Sequence, residues 1–219
     1  WKFLARGTFA YHSDYKIPTN QRITNTRFIE KDFKTGIAFS KNIFTSEIRY
    51  NFNNSKLGLT EGINEQSRST SLLEPYQSID NHIISAHNHL FLGNSKLDID
   101  LGYTVNDRKE FEEHEEHHED EDENEDEDEH EDEHDEAALR MKLKTFTYNA
   151  KFHFPKVGNL EILSGIQGLH QTNTNFGDEL LIPNAKINDF GFFTTANYSW
   201  NNNTLQAGIR FDNRNIITQ

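Results

Sequence analysis

Cysteine is absent from these 219 residues, which removes disulfides, thiolate metal sites and a thiol nucleophile. Long apolar runs are absent too: nothing approaches the roughly 18 consecutive apolar residues of a membrane-crossing helix. That absence does not touch β-barrels, whose strands hide their apolar face in alternation. Aliphatic residues are scarce, and hydrophobic residues of all kinds make up only 34% of the chain. A soluble domain of this composition would have a thin core. No stretch of useful length repeats with a helical period. Nucleophile elbows, phosphate-binding loops, His-Glu-x-x-His helices and paired-carboxylate scaffolds are missing, as is a convincing Ser–His pair, so no enzyme is expected.

Charge is present but unevenly spread. The chain holds 36 acids against 22 bases, a net of −14. Residues 112–136 alone carry 19 acids, five His, one Asn and no base; the remainder holds 17 acids and 22 bases, a net of +5. A mildly basic body is thus interrupted by one acidic polyelectrolyte. Such a run repels phosphates and argues against a nucleic-acid partner.

The dominant period is two. Trp1, Phe3, Ala5, Gly7, Phe9 and Tyr11 alternate with Lys2, Arg6, Thr8 and His12. Leu97, Ile99, Leu101, Tyr103 and Val105 alternate with Lys96, Asp98, Asp100 and Thr104, and Leu205, Ala207, Ile209 and Phe211 with Gln206, Gly208, Arg210 and Asp212. Such alternation reads as strands with one apolar and one wet face. Nine are expected, at about 1–12, 23–40, 43–54, 82–92, 96–107, 139–154, 159–170, 189–200 and 204–213. In the sixth, Leu139, Met141 and Leu143 have one parity and Phe146, Tyr148, Phe152 and Phe154 the other. A bulge near Lys144–Thr145 is expected to reconcile them.

Connections alternate as well. Short, turn-rich links at 41–42, 93–95, 155–158 and 201–203 are expected at one end of the sheet. Long ones at 13–22, 55–81, 108–138 and 171–188 are expected at the other. Strands of ten or more residues exceed the usual five or six of a soluble sandwich or propeller. With aromatics near their ends (Trp1, Tyr11, Tyr50, Phe52, Tyr103, Phe154, Tyr198 and Trp200), they fit an apolar band flanked by aromatic girdles. The expected fold is all-β: an antiparallel transmembrane β-barrel of the bacterial outer membrane, in contact with outer-membrane lipid. Nine is odd, whereas single-chain bacterial barrels have even counts. Residues 1–219 are therefore expected to be a partial barrel domain, beginning in mid-strand at Trp1.

Several stretches carry a resemblance: Tyr11-His12-Ser13-Asp14-Tyr15-Lys16-Ile17-Pro18, Asn25-Thr26-Arg27-Phe28 and Arg49-Tyr50-Asn51-Phe52 leading to Leu57-Gly58-Leu59. Gly165-Ile166-Gln167-Gly168, Leu181-Ile182-Pro183 and Leu205-Gln206-Ala207-Gly208-Ile209-Arg210 extend it. In strand texture and loop placement the chain resembles the barrel of TonB-dependent outer-membrane receptors, and among them the zinc-uptake branch. The resemblance implies a barrel of 22 strands around an N-terminal plug, energised by the TonB complex. Plug, TonB box and C-terminal strands have no counterpart in these residues. A surface lipoprotein is a further candidate partner.

The acidic run is the leading metal candidate. His114 and His118 are four apart, as are His130 and His134, with His117 between the first pair. On a helix each pair would share a face, but 19 carboxylates repel one another, so free of metal the run is expected to lack fixed structure. Imidazole suits zinc, copper and nickel, while carboxylates suit harder ions. Zinc is the expected cargo, calcium the alternative, and a merely solvated acidic loop the plainest one. Other His group with the external strand ends: His12, His82, His170 and, on one face of the fourth strand, His87 and His89. If His87 and His89 face the lumen, they are candidates for an inner site that receives metal from the loop, and Asn88 then faces lipid. His153 is expected to be structural. Three functions remain open: zinc uptake; uptake of another cargo such as a ferric siderophore, haem or a peptide; or metal binding at the surface without transport.

Overall fold

The structure, a computed structural model, describes residues 1–60, 62–64, 66–112, 137–177 and 182–218. Its elements are nine strands: β1 (Lys2–His12), β2 (Phe28–Lys41), β3 (Phe44–Gly58), β4 (Tyr76–Leu92), β5 (Ser95–Phe111), β6 (Leu139–His153), β7 (Leu160–Phe176), β8 (Ala185–Trp200) and β9 (Asn203–Thr218). They form one antiparallel sheet in the order β1 to β9, each strand pairing with its sequence neighbours. Among the described residues there is no second sheet packed on the first, so the two-sheet sandwich is excluded for them. β1 and β9 do not pair with each other, and the sheet is open at both edges.

All short links fall at one end and all long ones at the other. Two-residue turns join β2 to β3, β4 to β5 and β8 to β9, where Gly93 and Asn201 take the positive φ (65° and 50°) that tight hairpins need. The long connections are 13–27, 59–75, 112–138 and 177–184.

Several strands run further than their side-chain alternation suggests. β3 continues to Gly58, β5 to Phe111, β7 to Phe176 and β9 to Thr218, while β4 starts at Tyr76 and β8 at Ala185. Strand β2, by contrast, starts only at Phe28. The expected bulge in β6 is also corrected. Lys144 pairs with Val105 and Thr172, and Thr145 with Thr104 and Gln171, so the ladder passes unbroken. Leu139, Met141 and Leu143 instead lie on the opposite face from Phe146 and Tyr148. There Leu139 is the one apolar side chain that is buried among the described residues.

Register assigns every strand residue to a face. One face carries Phe3, Ile37, Ile48, Ala86, Leu101, Tyr148 and Phe190 along a single row. Its apolar band spans Phe44–Phe52 on β3 and Leu97–Val105 on β5, about nine residues or 27 Å of strand. No Asp, Glu, Lys or Arg on this face lies within those spans. Its polar residues satisfy one another: Ser46 donates to Asn88 Oδ1 at 2.7 Å, and Ser164 bonds Thr194 at 2.9 Å. Large side chains of the band are uncovered, among them Phe33, Ile48, Ile84, Phe190 and Phe211.

The band is oblique to the ladder. Phe52, the top apolar residue on β3, shares its row with His82, Val105, Lys144, Thr172, Lys186 and Ile217. On β6 the band tops out at Phe146, the next residue down on that face, on β8 at Phe190, and on β9 at Phe211, six residues below Ile217. Six residues are about 20 Å of strand, and six inter-strand steps from β3 to β9 are about 29 Å. The band therefore slopes at about 35° to the perpendicular of the strands, from that rise over that width.

Candidate functional site

The opposite face is mostly polar and carries the charged side chains at the height of the band. At the level of the apolar band and just above it, this face carries ion pairs. Arg49 meets Glu47 at 2.7 Å, Arg210 meets Asp212 at 2.5 Å, and Arg214 meets Asp189 at 2.6 Å. Toward the short-turn end lies a carboxylate–imidazole cluster. Asp98 on β5 receives His89 Nδ1 on Oδ1 at 2.6 Å, and His153 Nε2 and Lys96 Nζ on Oδ2 at 2.8 and 2.9 Å. Beside it, His87 Nδ1 lies 2.9 Å from Asp100 Oδ1. Alternation puts His87 and His89 on one face of β4, and the β4–β5 register sets each opposite an Asp of β5.

His87 and His89 thus fall on the polar face, and Asn88 on the apolar one. Their position along the strand corrects the expectation that grouped them with the long connections. His89 is three residues from the end of β4 at Leu92, and Tyr76 lies at its other end, about 43 Å of strand away. A metal passing from a long connection to this pair would have to travel most of the sheet's height. Each ring uses Nδ1 on a carboxylate, an arrangement that fixes the tautomer and leaves Nε2 for a ligand. Two such nitrogens fall short of the three or four protein ligands of a resident zinc. Among the described residues, no three His, Asp or Glu side chains form a group able to hold a metal ion. His153, expected to be structural, is brought to Asp98 by the β5–β6 register.

The other His are separate. His82 lies on the apolar face, opposite Phe52 at the top of the band, bonded to the Tyr50 hydroxyl at 2.8 Å and packed on the Phe52 ring. His170 Nδ1 lies 2.6 Å from Asn188 Oδ1, and His12 stacks on Phe28. His114, His117, His118, His130 and His134 lie outside the described residues, as does the expectation about the order of their run. The run's roots are described: Phe111 ends β5 and Leu139 begins β6, both at the long-connection end.

That end holds the best-buried polar cluster of the described residues. Asp14, fully buried, accepts Arg27 Nε and Nη2 at 3.1 and 3.0 Å and the Thr26 amide at 2.9 Å. Arg27 Nη1 donates to the Ser71 carbonyl at 2.6 Å. Asn25, at φ 58°, donates through Nδ2 to the carbonyls of Leu59, Leu73 and Pro75. Two of the stretches that carry the resemblance, around Asp14 and around Asn25–Arg27, are thereby brought into one knot with the connection 59–75. A Cβ on Gly58 would collide with Asn25 Oδ1 and its carbonyl oxygen.

No known protein-family model matches the chain, and no curated protein matches it. The functional reading therefore rests on these residues and their geometry.

Proposed function

We propose that the chain is part of an outer-membrane β-barrel receptor of the TonB-dependent type that imports zinc or a zinc complex. In this reading the run 112–136 captures the cation at the outer mouth. One observation carries the membrane part: an uncovered apolar band, free of formal charge, that slopes across the ladder at about 35°. In a planar bilayer a level band demands strands tilted by that amount, and membrane barrels tilt theirs by about 35–45°. The height of the band, about nine residues per strand, agrees with the span of a transmembrane strand. An apolar surface of this extent would drive aggregation in water. The ion pairs on the other face are suited to a hydrated lumen.

The zinc part rests on composition and placement. Five imidazoles among 19 carboxylates sit on a connection whose roots are at the long-connection end, where a receptor meets its cargo. The acids raise the local cation concentration, and the imidazoles favour zinc over harder ions. His87 and His89 are proposed as a transient lumenal station, oriented by Asp100 and Asp98. TonB supplies the energy in the family that the chain resembles.

The test uses the full-length receptor with three forms of the run: intact, deleted over 112–136, and with all five His replaced by Gln. Imidazole binds metal when neutral, and its ordinary pKa is about 6.5. Zinc binding to the intact run should weaken as pH falls through about 6, whereas carboxylate-bound calcium should persist to about pH 4–5. The Gln form should lose zinc affinity and uptake at scarce zinc while keeping weak calcium binding. A Gln form that binds and imports zinc like the parent refutes the zinc assignment.

A further inference from the structure

Above the band the apolar face becomes cationic. The concentration is greatest over β6 to β8. Lys144, Thr172 and Lys186 share one row, and Lys142 and Thr174 share the row above. Neighbouring strands stand about 4.8 Å apart, so Lys144 and Lys186 flank Thr172 with backbones about 10 Å apart. Two lysine side chains can close that gap on one anion. Asp107 is the one carboxylate on this face of β5 to β8 among the described residues. It is already engaged, by Arg140 at 2.8 Å and Lys142 at 3.4 Å. Lys144 and Lys186, both exposed, have no acidic partner among the described residues. Below them on the same face come Phe146, next after Lys144, and Phe190, beyond Lys186 and Asn188; both are uncovered members of the apolar band.

We propose that Lys142, Lys144 and Lys186, with the hydroxyls of Thr172 and Thr174, bind the phosphate of an anionic lipid whose acyl chains lie on Phe146 and Phe190. The proposal rests on the membrane reading above and adds a specific lipid-binding surface to it. Charge complementarity and the vertical order select the occupant: cations at headgroup height, hydrocarbon-compatible surface beneath. The lysines stand on an open strand surface, where attraction for a free phosphate ion would be screened by salt. A lipid is held at this depth by its chains, and each lysine near the surface then strengthens its retention about fivefold.

The full-length receptor would be reconstituted into phosphatidylcholine bilayers containing a minor fraction of phosphatidylglycerol. Enrichment of phosphatidylglycerol around the protein would be read by native mass spectrometry. The parent should enrich it, and the triple variant Lys142→Gln, Lys144→Gln, Lys186→Gln should lose that preference by roughly tenfold to a hundredfold. The triple Lys→Arg variant should keep it, and so should Lys34→Gln, which alters a lysine on the polar face. Retained preference in the Gln triple, loss in the Arg triple or equal loss in Lys34→Gln overturns the proposal. Displacement of the lipid by millimolar inorganic phosphate overturns it in favour of a free-anion site. A parent that fails to enter phosphatidylcholine bilayers refutes the membrane reading itself, independently of lipid preference.

Discussion

The knot of loops around Asp14 and the apolar face of β3 to β8 stand in opposite relations to their surroundings. In the knot, Asp14, Asn25 and Arg27 are buried and polar. On the strands, Ile48, Ile84, Leu101 and Phe190 are apolar and uncovered. A water-soluble domain would reverse this, with apolar strands inside and charged loops outside. The knot has a dry interior of its own because its two connections wrap each other, and every buried charge there has hydrogen-bond partners, as burial requires. Among the described residues the strands form a single sheet with no second layer on it, so their apolar face is left uncovered. One chain therefore presents two contrasting surfaces, and the boundary of the apolar band runs just above Phe52, Val105 and Phe146.

The sharpest way to break that contrast is to unpair the knot. Arg27→Ala leaves Asp14 buried without its cation, and opening of the knot should become easier by about 3–5 kcal/mol. Hydrogen exchange at the amides of Thr26 and Gly58 reports it, and amides in β5 and β6 should be unaffected. Equal acceleration in the strands would mean that the two regions are one cooperative unit. Next comes the apolar face: Leu101→Arg puts a charge in the middle of the band and should cost about 2–4 kcal/mol in a bilayer. Thr147→Arg, on the polar face one residue from the row of Leu101 and Tyr148, should cost less than about 1 kcal/mol. Urea unfolding from lipid vesicles compares them, and equal costs would remove the distinction between the faces. Asn25→Ala deletes three side-chain bonds to carbonyls of the connection 59–75 and should loosen the knot by about 1–3 kcal/mol. Limited proteolysis of that connection is its readout.

The smallest effect is a pH effect at the boundary. Arg140, hydrogen-bonded to Asp107, holds its carboxyl below the ordinary carboxylate range. A carboxyl lowered in the folded state contributes stability that is complete above its unfolded pKa of about 3.9 and is lost as pH falls through the folded value. The pair is partly exposed, so the contribution is about 0.2–1 kcal/mol. Asp107→Asn should flatten the stability profile below pH 4 by that amount, with no change in its slope near pH 7. An unchanged profile would mean that water at this height screens the pair completely.

Alternation made the strands and the two classes of connection legible wherever one face is apolar and the other polar. It failed above the boundary. From Asp107 to Phe111 and from Thr172 to Phe176, both faces carry polar residues, yet the main-chain ladder continues, because backbone groups need partners whatever the side chains do. Leu139, Met141 and Leu143 misled for the same reason: above the band an apolar side chain can turn to the polar face, and Leu139 is buried there. Parity put His87 and His89 on one face but left open which, and the register placed that face on the polar side. Their partners needed register, which no local pattern encodes. Asp98 meets His153 across 55 positions, through a connection that contains the acidic run. The Asp14–Arg27 pair spans a loop without periodicity and carried no signal beyond the resemblance of its flanking stretches.

Because every strand pairs only with its sequence neighbours, the wall is assembled in units of one hairpin. Excision of β7 and β8 together would bring β6 beside β9, still antiparallel, and would narrow the wall by about 10 Å. No other pairing would need to be rewired. Loss of a single strand would instead set two neighbours parallel and leave a short turn to bridge the whole height of the wall. Growth and shrinkage of such a sheet therefore proceed by twos, with each step adding or removing one long connection free to vary in length and charge.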